Sequence, residues 1–524
     1  MTDEIFGTMF EEFPEETQWD VVIIGGGPNG LIAGLYLASA GLKVCLAERR
    51  YEIGGGLATD EVLYPCYSSN PHAVYHLLVD LMPVIRDFNL DGPSLTWIKP
   101  NAQTGIVFED GSSILLTRML ADSKDSISKF SLKDAVTFGT LMTRWRRMVN
   151  EIIGPATFLP PMAPIEITMA LQRTKVGQEM LELVEMSPLE LVTANFEHEK
   201  VRTLLLYTMC LWGLDPRETG VGMLAALYLD RMVNKCYCYG GSHKFASALA
   251  REFVRHGGLI LEHAPVDKIL IEQGRAVGVH LAEGRVLRSK VVMSTLDPWT
   301  TWLDLVGREN VPQSIRESVE GWKYDKWSFN TLHVVSEEAP RYLPKDPWAS
   351  QAFMTIFGFE SMDALLEHWD NVVAGKIDKN NFGGHATCES LWDSHLVRVP
   401  PSRAHHQVSF FQMHAPYNLE GGWEQKGSEI EEAILQKWAK YAPNMKKENI
   451  VQTNQETPVD IEIRFPNMRY GSIKHGDYRP VQLGCFRPNQ ECSSTRTPIQ
   501  GLYVGGASTY PGGCVLGDLG FYWI

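Results

Sequence analysis

Three glycines and one acidic residue near the amino terminus have the spacing that binding of a dinucleotide requires. The segment Gly25-Gly26-Gly27-Pro28-Asn29-Gly30 contains the pattern GxGxxG, and Glu48 follows 18 positions after the last glycine. In such a motif the first glycine permits a tight turn, the second lets a diphosphate approach the backbone, and the third lets a helix pack closely on a strand. A carboxylate placed as Glu48 is can accept hydrogen bonds from ribose hydroxyls. These residues therefore predict a dinucleotide site.

The elements around these residues must position them. A buried strand is predicted over residues 19–24 (WDVVII), a helix over the run LIAGLYLASAG that begins at Leu31, and a second strand over residues 43–47. The turn between strand and helix aims the amino terminus of the helix at the diphosphate. The pattern GxGxxG alone is a weak signal, but within a complete βαβ unit it is a strong one.

A second glycine-rich loop follows Glu48 directly. It runs Arg49-Arg50-Tyr51-Glu52-Ile53-Gly54-Gly55-Gly56-Leu57, and its backbone can supply the additional donors that a cofactor as long as FAD needs. Gly220-Val221-Gly222 lies in a helical segment without a preceding strand, so a built-in NADPH site is not expected. The sequence therefore predicts FAD as the cofactor.

The same loop carries a family resemblance. Glu48, Arg49, Arg50, Ile53 and Gly54-Gly55 match the signature E-R-R-x-x-I-G-G. In these residues the sequence resembles the phytoene-desaturase-like FAD-dependent oxidoreductases, the carotenoid desaturase and retinol saturase type, within the wider amine-oxidase-type flavin fold. The resemblance implies an α/β fold in which a Rossmann-like FAD-binding domain is built from discontinuous segments and joined to an α+β substrate-binding or cap domain.

Two later segments extend the resemblance. In residues 240–297 a predicted helix is followed by short strands that close with V-V-x-S-T, and the resemblance implies that Val266 holds the adenine through its backbone. Residues 501–513 (GLYVGGASTYPGG) are similar to the family's final flavin motif, which is usually followed by a full helix, whereas this sequence ends at Ile524. The predicted cofactor-binding residues are Gly25, Gly27, Pro28, Asn29, Gly30, Glu48, Arg49, Gly54, Gly55, Gly56, Leu57, Val266, Gly505, Gly506, Gly512, Gly513 and Val515.

The family organisation implies five segments. The FAD-binding domain is expected in residues 1–110, 236–300 and 471–524, a helical cap or substrate domain in residues 111–235, and a substrate domain of sheet plus helices in residues 301–470. The two inserted segments are rich in Met and Trp, which together favour an apolar pocket although each such residue alone is more often core. Residues 158–169 (FLPPMAPIEITM) are predicted as a loop and a buried helix, with contact to a membrane surface as the alternative.

The catalytic residue is left open, with two weak candidates. His72 corresponds to a family region near the flavin ring, which makes it a weak pocket candidate, and it can equally be a capped loop histidine. Tyr470 is a second weak candidate, because it stands where the family often has a histidine. No metal site is predicted, because His405, His406 and His414 flank a strand-like segment without further ligands.

The composition of the whole chain excludes several classes of protein. The 524 residues carry a formal net charge of -15 and give a pI near 5.5, which argues against nucleic-acid binding. No apolar run approaches the length of about 18 residues that a membrane span requires, and the amino-terminal segment is acidic where a secretory signal would be basic. A cytoplasmic protein is expected, with peripheral membrane contact left open. The nine cysteines include no CxxC pair, so neither disulfides nor disulfide reductase chemistry is predicted.

These observations predict an FAD-dependent oxidoreductase. The resemblance implies desaturation, dehydrogenation or isomerisation of a hydrophobic, isoprenoid-like substrate by hydride transfer to flavin N5, with electrons leaving to oxygen, a quinone or a carrier protein. A flavin amine oxidase is the first alternative, and it would need a pair of Tyr or Trp side chains facing the flavin. A flavin-bearing subunit of a larger complex is the second alternative, and both homo-oligomers and hetero-oligomers remain open.

Overall fold

Two seven-stranded sheets dominate the computed structural model, which describes residues 18–343 and 347–513. In chain order the strands are β1 (Trp19–Ile24), β2 (Val44–Ala47), β3 (Asp60–Tyr64), β4 (Tyr67–Ser69), β5 (Trp97–Ile98), β6 (Ala102–Val107), β7 (Ser113–Thr117), β8 (Tyr237–Cys238), β9 (Leu259–Leu261), β10 (Val266–Glu272), β11 (Arg275–Leu281), β12 (Val286–Ser294), β13 (Trp327–Ser336), β14 (Met354–Phe357), β15 (Gly384–Cys388), β16 (Gln407–Pro416), β17 (Ile450–Glu456) and β18 (Leu502–Val504).

The helices follow the same order along the chain. They are α1 (Pro28–Ser39), α2 (Pro83–Asp87), α3 (Leu120–Ser128), α4 (Leu132–Met148), α5 (Gly154–Thr157), α6 (Pro164–Leu171), α7 (Lys175–Val184), α8 (Pro188–Asn195), α9 (Glu199–Cys210), α10 (Gly222–Met232), α11 (His243–Arg255), α12 (Gln313–Gly321), α13 (Met362–Val373), α14 (Trp423–Tyr441) and α15 (Pro458–Arg464). None of the helices in the described residues is both long and apolar enough to cross a membrane.

The first sheet has the strand order β10-β11-β12-β1-β2-β9, with β18 also paired to β12. The pairs of β1 with β12 and β2, of β2 with β9, and of β12 with β18 are parallel. The β1 sequence is almost continuously apolar because parallel strands are covered on both faces, and Val22 and Ile23 are fully buried. Helices α1 and α11 pack together over this sheet, where Gly34 leaves room for the ring of Phe253. This sheet is therefore assembled from three separate parts of the chain.

The second sheet has the order β17-β13-β16-β15-β14-β6-β7 and is antiparallel except for the parallel pair β14 and β6. Strands β13 and β16 pair along their full length, from Trp327 opposite Pro416 to Ser336 opposite Gln407. Helix α14 covers part of this sheet, where Trp438 packs against Phe357 and Phe411. The second sheet thus has its own apolar core.

The predicted α/β fold class, with a Rossmann-like part in discontinuous segments, is confirmed. The strand predicted over residues 19–24 is β1, and the predicted second strand is one residue longer than β2. Helix α1 begins at Pro28, three residues before the predicted start, because a proline at the first helical position has no hydrogen-bonded N–H to lose. Strands β6 and β7 pair in the second sheet, although the first predicted cofactor segment ran to residue 110.

The prediction of a buried helix within residues 158–169 is wrong. Helix α6 buries only Leu171, while Ile165 is 67% exposed and Met169 is 52% exposed. The apolar composition of the segment suggested burial, but α6 has only two turns and packs mainly on its neighbour α7. A surface with several exposed apolar side chains results.

Candidate active site

A cavity of about 330 Å³ lies where the first sheet meets the second. Its lining combines the glycine-rich loops after β1 and β2 with side chains from β13, β16 and β17. Nine of the predicted cofactor-binding residues line it, namely Gly25, Gly27, Pro28, Asn29, Glu48, Arg49, Gly55, Gly56 and Val266. The structure therefore brings the two amino-terminal motifs and Val266 to one site.

The amino terminus of α1 opens into this cavity. Its N-cap residue, Gly27, makes no side-chain hydrogen bond, and the first turn contains no acidic residue. A Cβ atom built on Gly27 would meet no atom within 4 Å, so the backbone here borders open space. An uncapped helix terminus next to open space is suited to hold a diphosphate, because its N–H groups and its dipole both favour an anion.

Glu48 is fixed at the wall of the cavity by two backbone groups. Its Oε2 atom accepts a hydrogen bond of 2.7 Å from the N–H of Gly26, and its Oε1 atom accepts one of 2.9 Å from the N–H of Arg50. A carboxylate has about four lone-pair positions, so two remain for further donors. Glu48 is therefore placed and oriented as an acceptor for ribose hydroxyls.

Other predicted glycines shape the site without lining the cavity. A Cβ atom on Gly30 would lie 2.0 Å from the carbonyl oxygen of Gly25, so only glycine lets α1 approach β1 this closely. Gly54 has a φ of +108° and donates a hydrogen bond of 2.7 Å to the carbonyl of Gly26, which ties the two loops together. Leu57 is fully buried in the core beneath these loops. Their contribution is structural in this arrangement.

The final glycine-rich motif packs against protein rather than lining the cavity. Gly506 has a φ of +96°, and a Cβ atom there would lie 2.7 Å from the carbonyl oxygen of Thr295. Gly505 donates to the carbonyl of Ser294, and Gly513 donates to the hydroxyl of Tyr478 across 2.7 Å. Within the segment, Ala507 lines the cavity, whereas Gly505, Gly506, Gly512 and Gly513 do not, and Val515 lies outside the described residues.

His72 lines the cavity, as the sequence predicted for a pocket candidate. Its ring meets Phe465 edge to face with centroids 4.6 Å apart, and its Nε2 atom has no hydrogen-bond partner among the described residues. Burial lowers the pKa of His72 to about 4, although the charge of Glu456 acts in the opposite direction. His72 is therefore neutral at physiological pH and presents an unpartnered ring nitrogen at the site.

Tyr470 does not line the cavity. It is 45% exposed and packs against Tyr324 and Tyr417, so its position gives no support to the prediction of a pocket role. His475, five residues later, lines the cavity instead, and burial lowers its pKa to about 3. Sequence reasoning did not choose His475 because no motif fixed the register between this segment and the cavity.

The wall contributed by the second sheet was not found from the sequence. Thr331 on β13 lies opposite Gln412 on β16 and opposite Glu456 on β17, and all three line the cavity. Gln412 donates a hydrogen bond of 2.9 Å from Nε2 to the hydroxyl of Thr331. Phe329 lines the same wall two residues earlier on β13. The spacing of two residues between Phe329 and Thr331 is visible in the sequence. The register of the three strands, which are far apart along the chain, is not.

His405 and His406 both contact the carboxylate of Glu337, with His405 exposed and His406 buried. Glu337 Oε2 lies 2.7 Å from Nε2 of His405 and 3.3 Å from Nε2 of His406, and the hydroxyl of Tyr67 lies 2.6 Å from Nδ1 of His406. His414 lies in another place, where it is buried against Phe329 and Trp327. His405 and His406 thus share Glu337, a candidate third ligand that the sequence did not reveal, whereas His414 is separate from them.

Comparisons with known proteins identify the family. The chain is 34% identical over 515 residues to a limonene dehydrogenase subunit from Castellaniella defragrans, covering 96% of this chain and 93% of the relative. The chain belongs to the phytoene-desaturase-like family of FAD-dependent oxidoreductases. It is also 24% identical over 523 residues to phytoene desaturase (lycopene-forming) from Paracoccus sp., covering 95% of each chain.

Further comparisons agree with this assignment. The model of the Thi4 family matches residues 2–67. A solved oxidoreductase from Methanosarcina mazei has a TM-score of 0.60 at 14% identity, covering 96% of this chain and 98% of that one, and it supports the fold. The predictions of an oxidoreductase and of FAD as its cofactor are confirmed. The uncapped terminus of α1 and the fixed carboxylate of Glu48 fit this cofactor.

Proposed function

We propose that the chain dehydrogenates a small, hydrophobic hydrocarbon of the isoprenoid class, with FAD as the oxidant. The similarity to the limonene dehydrogenase subunit over nearly the whole chain is the observation that carries this proposal. The apolar part of the cavity wall supports it, because Phe329, Trp212, Ile461, Phe465 and Ile473 can receive a substrate without polar handles.

We propose that the nine cavity-lining residues predicted from the sequence bind FAD. The N–H groups at the start of α1 hold the diphosphate, and Glu48 accepts from the ribose. Bound FAD supplies the two-electron acceptor. The residues of this chain fix its position, exclude water from the substrate and hold the substrate against the reacting end of the cofactor.

We propose two functional domains that differ in one boundary from the sequence prediction. The first sheet, with α1 and α11, forms the FAD-binding domain. The second sheet and the helices between residues 120 and 232 form the substrate domain. Strands β6 and β7 belong with the substrate domain, because β6 pairs with β14 and β7 pairs with β6 at the edge of the second sheet.

We propose that the chain works with a second polypeptide that receives electrons from reduced FAD. The relative's designation as a subunit supports this assembly. The mass of the protein isolated from its native source, measured by native mass spectrometry, tests it. A complex containing a second polypeptide is expected, and a monomer or homo-oligomer with full turnover would contradict the proposal.

We also propose that α6 contacts a membrane surface. A hydrophobic substrate partitions into lipid, and the side chains of Ile165 and Met169 on α6 are exposed. Flotation with phosphatidylcholine vesicles should recover the native protein, and Ile165→Ser with Met169→Ser should reduce recovery. Val481→Ser is the matched control, since Val481 is 71% exposed outside this helix. Equal recovery of all three proteins would contradict the contact.

The experiment for the proposed reaction is an anaerobic titration of the FAD-loaded protein. Limonene, a long acyclic carotenoid and a primary amine are added separately while the flavin absorbance is recorded. Bleaching by limonene is expected. Bleaching by the amine alone would favour an amine oxidase. If no compound bleached the flavin, hydrocarbon dehydrogenation by this chain would be contradicted.

The geometry of the cavity favours the hydrocarbon over the amine. Tyr75 and Trp212 line it, but their rings meet edge to face, with an interplanar angle of 76° and centroids 5.6 Å apart. With this angle between them, the two rings cannot both face one flat flavin ring, as the amine oxidase alternative requires.

A further inference from the structure

A chain of hydrogen bonds leads from the cavity into the second sheet. Glu456 lines the cavity, and its Oε2 atom lies 3.3 Å from Nε2 of His333. The Nδ1 atom of His333 lies 3.0 Å from the hydroxyl of Ser69, which donates to Oε2 of Glu389. His333, Ser69 and Glu389 are fully buried. The chain therefore joins a carboxylate at the cavity to a second carboxyl group that water does not reach.

Glu389 has no cationic side chain paired with it among the described residues. Its Oε1 atom accepts from the backbone N–H of Asn70 at 3.2 Å, from Nδ2 of Asn70 at 2.7 Å and from the hydroxyl of Tyr237 at 3.4 Å. Burial raises the pKa of Glu389, and the hydrogen bonds from Ser69 and Asn70 oppose the rise. These hydrogen bonds satisfy a buried carboxyl that would otherwise cost stability.

The pKa of Glu456 is shifted in the opposite direction to that of Glu389. Burial opposes its ionisation, but the contacts with His333 and His72 together outweigh burial and lower the pKa of Glu456. The Nη1 atom of Arg464 lies 2.9 Å from its Oε1 atom, and Arg464 also pairs with Asp60. His333 from β13, Arg464 from α15 and His72 are thus the ionisable groups that face Glu456.

His333 is suited to connect the two carboxyl groups. A neutral imidazole has one donor and one acceptor nitrogen, so it can receive a proton at Nε2 and release one at Nδ1. The hydroxyl of Ser69 can likewise accept and donate. The connection therefore needs no movement of heavy atoms.

We propose that Glu456 is the catalytic base of the dehydrogenation and that His333 and Ser69 pass its proton to Glu389. The inference rests on the proposed function. One C–H bond of the substrate transfers its hydrogen with both electrons to FAD, and the adjacent C–H bond gives its proton to the Glu456 carboxylate. The electron pair of that second bond forms the C=C bond. FAD is the oxidant, Glu456 returns to its ionised form, and Glu389 holds the proton until Ser69 and His333 return it through Glu456 to water in the emptied cavity.

Four variants of the FAD-loaded protein test the relay through the rate of flavin reduction by limonene as a function of pH. Glu456→Gln should slow reduction at least about 100-fold, as expected for loss of a general base. Ser69→Ala and Glu389→Gln should each slow it about tenfold and shift the pH profile, because the base then exchanges protons by a slower route. Thr387→Val is the matched control, since Thr387 is buried in the same sheet and its hydroxyl has no partner among the described residues. Profiles of Ser69→Ala and Glu389→Gln that coincide with the wild type would overturn the proposal.

A second readout does not depend on the substrate. Infrared difference spectra recorded across pH should contain a carboxylic acid band that Glu389→Gln removes. In the otherwise wild-type protein, Glu456→Gln should shift the pH at which that band appears. In the Ser69→Ala protein, adding Glu456→Gln should shift this pH much less. If limonene reduces no variant but this coupling is present, the proposed substrate is wrong and the relay stands. If the band is missing, or the coupling survives Ser69→Ala, the relay is wrong whatever the substrate is.

Discussion

The two walls of the cavity are built by different means. The wall from the first sheet presents backbone groups, with Gly27 bordering open space and the uncapped end of α1 behind it. The wall from the second sheet presents side chains, including Phe329, Thr331 and Glu456, from strands far apart in the sequence. The wall proposed for the cofactor is therefore built by local chain geometry, whereas the wall proposed for the substrate is built by tertiary register.

The largest expected difference between the two sheets is their loss of stability as the pH falls. Burial lowers the pKa of His385 on β15 to about 3, of His414 on β16 to about 4 and of His368 on α13 to about 3. Each shift of this size is worth roughly 3 to 5 kcal/mol. The folded pKa lies below the unfolded value of 6.5, so the unfolded state binds more protons, and stability present above pH 6.5 is lost as pH falls toward 3.

Hydrogen exchange at pH 7 and pH 5 measures this effect. After correction for intrinsic exchange rates, β15 and β16 should lose more protection between pH 7 and pH 5 than β1 and β2, which contain no histidine. Equal loss in both sheets, or greater loss in the first sheet, would contradict the comparison.

The second prediction breaks the first wall alone. Gly27→Val should weaken FAD binding by at least about 100-fold, or about 2.7 kcal/mol, because the new side chain would fill space reserved for the diphosphate. The fold should tolerate it, since Gly27 has a φ of -69° and a Cβ atom there meets nothing within 4 Å. Isothermal titration of the apoprotein with FAD gives the affinity.

Gly92→Val is the matched control for that variant. Gly92 also has no atom within 4 Å of a built Cβ, but it does not line the cavity. Equal FAD affinity in the two variants would show that the diphosphate does not lie at Gly27.

The third prediction concerns the carboxylate of Glu48, which we propose accepts hydrogen bonds from the ribose hydroxyls. Glu48→Gln should weaken FAD binding between about tenfold and 100-fold, because hydrogen bonds to a charged group are worth about 1.5 to 3 kcal/mol. Equilibrium dialysis against FAD measures the change. Glu52→Gln serves as control, since Glu52 lies in the same loop but does not line the cavity. An unchanged affinity for Glu48→Gln would remove Glu48 from the site.

The smallest expected effect concerns Trp212, an apolar side chain that lines the cavity from the segment after α9. Trp212→Leu should raise the KM for limonene about tenfold by removing apolar contact area, with FAD affinity unchanged. Steady-state kinetics with an artificial electron acceptor measures KM. Trp392→Leu is the control, because Trp392 is partly buried but does not line the cavity. A loss of FAD affinity in Trp212→Leu would mean that the two walls are not separate in function.

The residues that the sequence groups in its first motif lie together at the first wall for a physical reason. Gly25, Gly27 and Glu48 act through backbone geometry within one βαβ unit, so their spacing along the chain carries the information. The final motif was less informative, because Gly505 and Gly506 have conformations that serve close packing on β12, and a pattern of glycines does not reveal what approaches them.

The second wall could not be predicted because its residues meet only through strand register. Thr331, Gln412 and Glu456 are brought together by the pairing of β13 with β16 and β17. The connection of His333 to Ser69 spans 264 positions of the chain. Helix α6 shows the same limit, since its apolar composition suggested burial although its neighbours leave Ile165 exposed.

We propose that one cavity between the two sheets holds both FAD and the substrate. A crystal structure of the protein with FAD and limonene tests it most directly. We predict density for the diphosphate at the start of α1 and density for limonene beside Phe329 and Thr331 within the same cavity. Density for FAD away from Gly27 and Glu48, or for limonene outside this cavity, would contradict the account.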